Sequence, residues 1–315
     1  MFFNKKYFYN NKKLFMNNLK LILFILREIL VNFVGYKLGL RSFLKRSLIN
    51  NMSRNIEVDL YDKGSKHSKN ITDHLYENNI SIKNKNNFLE MGPGGSILHG
   101  IHKILEGWRK YVAVDIFPSQ IWSQYPQTLY SRFIRELDDN LKHKVNKILS
   151  SSQNGEGPIF YFGNQGLCNT DFNSKCASGS IDFIYTWGVL EHTDNPKQVF
   201  LKNYELLSES GYILHVIDPH PHTWSRFQNP YIFLTIPQWI WNLMYKGRGF
   251  INRVRASSYE DWAKQAGFEI VSNKKEISKY DISNLIKSIN KKIKYVDLDD
   301  LLTDRLYLFL KKPSI

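Results

Sequence analysis

The chain has 315 residues, 43% of them apolar, with 20 Phe, 18 Tyr and 7 Trp, enough to close a large core and too aromatic for a disordered protein. Its two cysteines, Cys168 and Cys176, provide neither a disulfide framework nor a paired-ligand zinc site, and so point to a reducing, cytoplasmic compartment. The formal charge of +14 is uneven: residues 1–54 carry eleven Lys or Arg against the single acid Glu28, which disfavours a uniformly basic nucleic-acid-binding body.

That N-terminal segment also holds the most apolar stretch, residues 19–40. Its uninterrupted run, residues 21–26, stops at Arg27 and Glu28, far short of the ~20 apolar residues a membrane span needs. No small-residue cleavage site follows it, which argues against a signal peptide. At helical period Leu19, Ile22, Leu23, Leu26, Ile29, Leu30 and Phe33 share one face. Two readings stay open for 1–54: a helix packed on the catalytic body or a partner, or a basic interfacial helix resting on an anionic membrane surface at its inner face.

A polar, Asn- and Lys-rich connection is expected over residues 50–70, and the main domain over 55–315. Beyond it the alternation of strand and helix patterns predicts a doubly wound α/β sheet. Strands are expected at 87–91, 111–116, 158–162, 180–186, 212–217, 268–273 and 306–311, with helices at 96–108, 119–149, 196–207 and 259–266. Residues 218–256, rich in Trp, Tyr, His and Arg, form an insertion where the fifth strand leaves the sheet. Ligands of open α/β sheets bind outside the carboxyl ends of the strands, so this insertion is expected to help build a substrate pocket.

The stretch Phe88-Leu-Glu-Met-Gly-Pro-Gly-Gly-Ser96 reads as a strand ending in an acid and breaking into glycines before a helix. Gly92 and Gly94 suit a sharp turn that lets backbone approach a ligand. The third glycine of a dinucleotide fingerprint would fall at Ile97, so a pyrophosphate binder is disfavoured. Asp115 closes the second strand, where a carboxylate can accept both hydroxyls of a ribose; the competing reading is an acid that caps the next turn. His99 and His102, on the helix after the glycines, read as surface or packing residues.

With Ser180-Ile-Asp-Phe-Ile-Tyr-Thr-Trp-Gly-Val-Leu-Glu-His192, the later Tyr212-Ile-Leu-His-Val-Ile217 and Ala-Gly-Phe-Glu-Ile-Val271, the chain resembles class I S-adenosylmethionine-dependent methyltransferases of the type 11 group over about residues 85–275. The resemblance implies a seven-stranded Rossmann-like sheet closed by a C-terminal antiparallel hairpin, and S-adenosyl-L-methionine as cofactor. It places Glu90, Gly92 and Gly94 under the methionine portion, Asp115 on the ribose and Ile116 over the adenine. Asn164 and Gln165 fall near the adenine amine, where the family usually has an acid or polar group, and Trp187 and Gly188 fall beside the methyl donor.

A narrower resemblance lies in the insertion. His215-x-x-Asp218-x-x-x-His222, Trp241 and Asn252-Arg-Val-Arg255 look like methyltransferases of surface-saccharide biosynthesis, with Pro221 replacing an expected acid. Methyl transfer to a hydroxyl needs a base, and His222, His220 and Asp218 stand where one could act, or where a pocket-edge group would simply be hydrogen-bonded. His192, Asn252, Arg253 and Arg255 are candidate contacts to the acceptor, the arginines gripping a phosphate or carboxylate or forming a solvated basic face. A metal on His192, His220 and His222 competes with these roles, but no Cys or carboxylate spacing supports it and none is expected. The acceptor is read as a small molecule, a saccharide or a lipid-linked intermediate. A non-catalytic module of the same fold and, below it, an RNA methyltransferase are the alternatives.

Overall fold

The computed structural model describes residues 19–37, 53–82, 85–94, 97–116, 130–153, 155–163, 167, 172, 176–247 and 250–314. In chain order the helices are α1 (19–31, running into a π-turn at Asn32–Lys37), α2 (Ser53–Glu77), α3 (Leu98–Leu105), α4 (Ser131–Glu136), α5 (Asp139–Gln153), α6 (Pro196–Leu206), α7 (Gln238–Tyr245), α8 (Ala256–Gln265) and α9 (Leu298–Leu301). The strands are β1 (Asn87–Met91), β2 (Lys110–Val114), β3 (Ile159–Phe162), β4 (Ile181–Trp187), β5 (Leu207–Ile217), β6 (Glu269–Ile277) and β7 (Thr303–Lys311). They form one seven-stranded sheet of order β3-β2-β1-β4-β5-β7-β6, parallel throughout except for β7. The order reverses between β1 and β4, and this switch point opens a crevice at the carboxyl ends of the strands.

Both faces of the sheet are covered, so the parallel strands are apolar on both sides. Alternate residues feed two cores. Phe88, Tyr111, Phe183, Leu214 and Phe309 pack with α2, α3, α4 and α5, whereas Leu89, Val112, Ile184, Ile213 and Leu308 pack with α6 and α8. Gly100 on α3 lies so near β2 that an added Cβ would meet the Tyr111 ring at 2.4 Å, and this close approach sets the height of α3 over the sheet.

Three expectations change. The connection at 50–70 is instead part of the 25-residue α2, so the boundary at 54/55 falls in its first turn. Its buried positions, Gly64, Ser68, Ile71 and His74, keep helical spacing beneath a polar solvent face that reads as linker. The helix expected over 119–149 is two helices, because Leu137 is extended and Asp138 Oδ1 accepts the Leu141 N–H at 2.9 Å, starting α5 afresh; residues 117–129 lie outside the described set. The fifth strand, expected from Tyr212, begins at Leu207, the register against β4 shifting between Ile181 and Phe183, so the Ser-Gly step at 210–211 is carried inside the strand.

The segment 1–54 is described only at 19–37 and 53–54, so its outer lysines and arginines lie outside the described residues. α1 packs on the insertion: Phe24 is buried against Trp224 and Phe227, and Asn32 Nδ2 donates to the Leu243 carbonyl at 2.9 Å. Its other face, with Ile22, Leu23, Leu26, Leu30 and Phe33, remains exposed. Among the described residues, no helix is long and apolar enough to cross a membrane.

Candidate functional site

At the switch point three strand ends are tied together. The Gly92 N–H donates to the Val114 carbonyl at 2.8 Å, the Asp115 N–H to Phe162 at 2.9 Å, and the Gly94 N–H to Asp115 Oδ2 at 3.0 Å. Gly92 has φ +73°, and a Cβ there would sit 2.4 Å from Val189 Cγ2 beyond β4. No other residue fits that corner without moving the β4 exit. Asp115 is buried with its carboxylate turned onto the glycine loop, and Ile116 beside it is 61% exposed, an apolar surface at the rim. Asn164 and Gln165 lie outside the described residues.

The Glu90 carboxylate is engaged by the fold. Its carboxylate accepts from the Tyr111 hydroxyl and lies 2.9 Å from His99 Nδ1 and 3.6 Å from His67 Nδ1 on α2. Burial alone would raise its pKa, but the His99 and His67 rings more than offset this and hold it well below the usual carboxylate range. Glu90 therefore anchors α2 and α3 to β1 and positions the glycine loop through its backbone. His99, expected at the surface or in packing, is this anchor's buried partner.

Trp187 likewise turns toward α2, its ring stacked on His67 at 4.9 Å with the Arg305 guanidinium 5.4 Å away. After β4 comes the turn at Gly188, whose N–H donates to the Val216 carbonyl at 3.0 Å. The next turn, Leu190–His192, carries Glu191, which is fully buried with neither carboxylate oxygen in a well-formed hydrogen bond. Burial pushes its carboxyl up to about 8, and nearby Asp218 adds to the rise. A Cβ placed at Gly188 would be 3.5 Å from Glu191 Oε1, so this acid sits against the β4 exit.

The exit of β5 brings the histidines to the same place. His222, at φ +43°, has Nε2 3.1 Å from the Asp218 carbonyl; its ring stacks on His220 at 4.0 Å and meets His192 edge-on at 5.2 Å. Burial and the neighbouring His220 push His222 down to about 4, so it is neutral at pH 7. Asp218 is pinned by Arg305, whose Nε donates to its Oδ1 at 2.6 Å. His215 is not part of the group: it is buried on the opposite face, with Nδ1 2.9 Å from Thr186 Oγ1.

Three acceptor-binding candidates have their polar groups engaged by the fold. Asn252 donates to the Leu190 and Thr193 carbonyls at 2.9 and 3.2 Å and accepts from Tyr259 and Val254. Arg253 donates to the Ile236 carbonyl and to Gln238 Oε1, both at 2.5 Å, and stacks on Trp241. Arg255 is wholly buried, donating to the Pro219 carbonyl at 2.9 Å. These contacts brace the insertion, and Asn252 and Arg253 also line its cleft. The insertion does build a cleft, of about 600 Å³, lined by Asp194, Trp241, Tyr245, Lys246 and Phe250 among others. None of His192, His220, His222 or Asp218 lines it, so the cleft neighbours the strand-end site instead of forming its floor.

Sequence reasoning missed Glu191, His67, Tyr111 and Arg305. Glu191 was visible inside the Val-Leu-Glu-His run, but its burial was not. The other three are brought in from α2, β2 and β7 by tertiary packing alone.

The family described as a methyltransferase domain matches residues 66–273. Curated proteins yield no match. Among solved structures, an S-adenosylmethionine dependent methyltransferase from Mesorhizobium loti is 12% identical, with 72% of this chain and 90% of that chain covered and a TM-score of 0.39. The cyclase SpnF is 11% identical, with 78% and 81% covered and a TM-score of 0.44. The residues at the crevice suit the donor this family uses, since a Cβ at Gly94 would meet nothing within 4 Å, which leaves open space over the loop, and Asp115 sets a carboxylate beside it. The family match takes in every strand from β1 to β5 and about two thirds of the sequence, so the chain belongs to the methyltransferase-domain family and S-adenosylmethionine is its cofactor.

Proposed function

We infer that the protein transfers a methyl group from S-adenosylmethionine to a hydroxyl of a small-molecule, saccharide or lipid-linked acceptor. The observation that carries this reading is the juxtaposition, across one switch point, of the Gly92–Gly94–Asp115 cradle with the His192, His220 and His222 cluster. When bound, the cofactor supplies an electrophilic methyl group on a sulfonium. The open side of Gly94 admits it to the backbone, Gly92 makes the turn that presents the loop, and Asp115 offers its carboxylate to a ribose diol. Neutral His222, whose Nε2 faces the Asp218 carbonyl, and the stacked His220 stand beside the incoming hydroxyl and orient it, its proton passing to solvent. Asp218, pinned by Arg305, acts by position: its carbonyl holds His222.

Calorimetric titration with S-adenosylhomocysteine tests the cofactor half. Binding is expected, weakened at least about tenfold in Asp115→Ala by loss of charged hydrogen bonds. Absence of binding, or an unchanged Asp115→Ala, removes the assignment. Labelled S-adenosylmethionine, incubated with fractionated extract and read by mass spectrometry, identifies the acceptor. Cofactor binding with no labelled product in any fraction favours the non-catalytic module.

A lipid-linked acceptor at an anionic membrane surface is favoured by one feature. The outer face of α1 (Ile22, Leu23, Leu26, Leu30 and Phe33) adjoins Leu243 of α7, with Trp239 one turn away, and all of these are exposed. The chain around this apolar ridge, residues 1–54, is strongly basic, which complements acidic headgroups.

A further inference from the structure

We propose that Glu191, His192 and His222 form a binding site for one divalent transition-metal ion. One ligand atom from each lies within 4.8 Å of the others, the spacing of donors around a common ion. The Glu191 side chain is fully buried with both oxygens short of a well-formed hydrogen bond, and its carboxylate form in that position calls for a positive partner. The three donors come from two strand exits and each exit is braced. Asn252 clamps the Leu190–Thr193 turn through two carbonyls and donates its backbone N–H to the Glu191 carbonyl at 2.5 Å. His222 is held in a left-handed backbone conformation by its contact to the Asp218 carbonyl and its stack on His220. Strained, over-determined residues of this kind collect where a ligand is held.

A second group of three, His67, Glu90 and His99, has the same donor types but a different character. There the carboxylate already accepts from Tyr111 and His99 and faces His67, so its partners are accounted for by the docking of α2 and α3. Nothing at that group calls for an ion.

Two imidazoles and one carboxylate suit zinc, manganese, cobalt or iron(II) better than magnesium or calcium, which prefer all-oxygen shells. Three protein ligands leave coordination positions open. The role of the ion, though not its binding, rests on the methyltransferase reading: it would hold an acceptor hydroxyl and lower its pKa, the proton passing to solvent while the oxygen stays bound, with no change of oxidation state.

The test uses full-length protein stripped with chelator, then titrated with Mn²⁺ by electron paramagnetic resonance and with Zn²⁺ by equilibrium dialysis and metal analysis. One ion per chain is expected. Glu191→Gln and His222→Ala should each weaken binding by at least about tenfold, whereas His67→Ala and the exposed His143→Ala leave it unchanged. Circular dichroism and melting curves show whether each variant folds. Should Glu191→Gln not fold, nitrogen couplings in the pulsed spectrum of Mn²⁺-loaded wild type still report whether two imidazoles bind the ion. No stoichiometric uptake, loss of uptake in His67→Ala, or a spectrum without imidazole nitrogen overturns the proposal. S-adenosylhomocysteine calorimetry on the metal-free protein keeps the fate of the cofactor reading separate.

Discussion

Gly92 concentrates two constraints in one residue. Its φ of +73° costs any L-residue on the order of 1 kcal/mol, and the 2.4 Å approach to Val189 adds an overpacking cost of about 1–3 kcal/mol. Gly92→Ala should therefore lower stability by roughly 2–4 kcal/mol in denaturant titrations and weaken S-adenosylhomocysteine binding. The double variant with Val189→Ala should recover the packing part but not the conformational part. Full recovery would show that backbone strain is absent. Titration of buried groups supplies a second prediction at this scale. Burial pushes His215 down to about 3, and burial with nearby charges takes His102 and His222 to about 4, whereas an unfolded histidine titrates near 6.5. Below pH ~6.5 the unfolded chain binds more protons, so stability falls as pH drops, by about 1.4 kcal/mol per pH unit for a fully buried imidazole such as His215. Glu191, raised to about 8, acts with the opposite sign: the folded state keeps its proton above the unfolded carboxyl pKa, and stability falls as pH rises toward 8. Melting temperatures of chelator-treated protein should thus peak near pH ~6 to 6.5. His215→Asn should flatten the acid limb and Glu191→Gln the alkaline limb; a profile unchanged by both would refute the buried-charge account.

At the scale of elements, α1 has two faces of different character. Phe24 and Asn32 hold it to the insertion, so removing it should destabilise that region, whereas its outer leucines are exposed and are expected to bear on the proposed membrane association. Full-length protein is expected to sediment with anionic vesicles at low salt and to be released at high salt, because each basic group near such a surface contributes about 1 kcal/mol and is screened. Leu23→Glu with Leu26→Glu should abolish sedimentation while leaving the melting temperature within a degree or two, as surface changes do. Equal sedimentation with neutral vesicles, or none with anionic ones, would end the membrane reading. Elements set by local signals were legible. β1, β3 and α6 lie within a residue of their expected bounds, being set by unbroken apolar runs and by Asn195, whose side chain caps α6 ahead of Pro196. α2 was not legible, since its solvent face is Asn- and Lys-rich and its buried face, Ser68, Ile71 and His74, is only partly apolar. In the site, Asp115 and Gly92 could be read from position at a strand end. The internal engagement of Asn252, Arg253 and Arg255 could not, because a charged residue in an aromatic-rich insertion looks the same in sequence whether it grips a ligand or a main-chain carbonyl.

For the molecule as a whole, the order of the sheet departs from the order of the chain one place in from its edge. β7 lies between β5 and β6, pairing Tyr212–Ile217 on one side and Glu269–Ile277 on the other, and it delivers Arg305 to Asp218 and Trp187. The strand that pins Asp218 is thus made well after β5, beyond the whole insertion and β6. There is a consequence for the newborn chain. While the ribosome makes residues 218–302, at roughly 5–20 residues per second, β5 waits with an open apolar edge and β6 has nothing to pair with, an interval on the order of ten seconds. Until Thr303–Lys311 emerges, that edge can be joined by any stray strand, including the same segment of a neighbouring nascent chain on a crowded polysome.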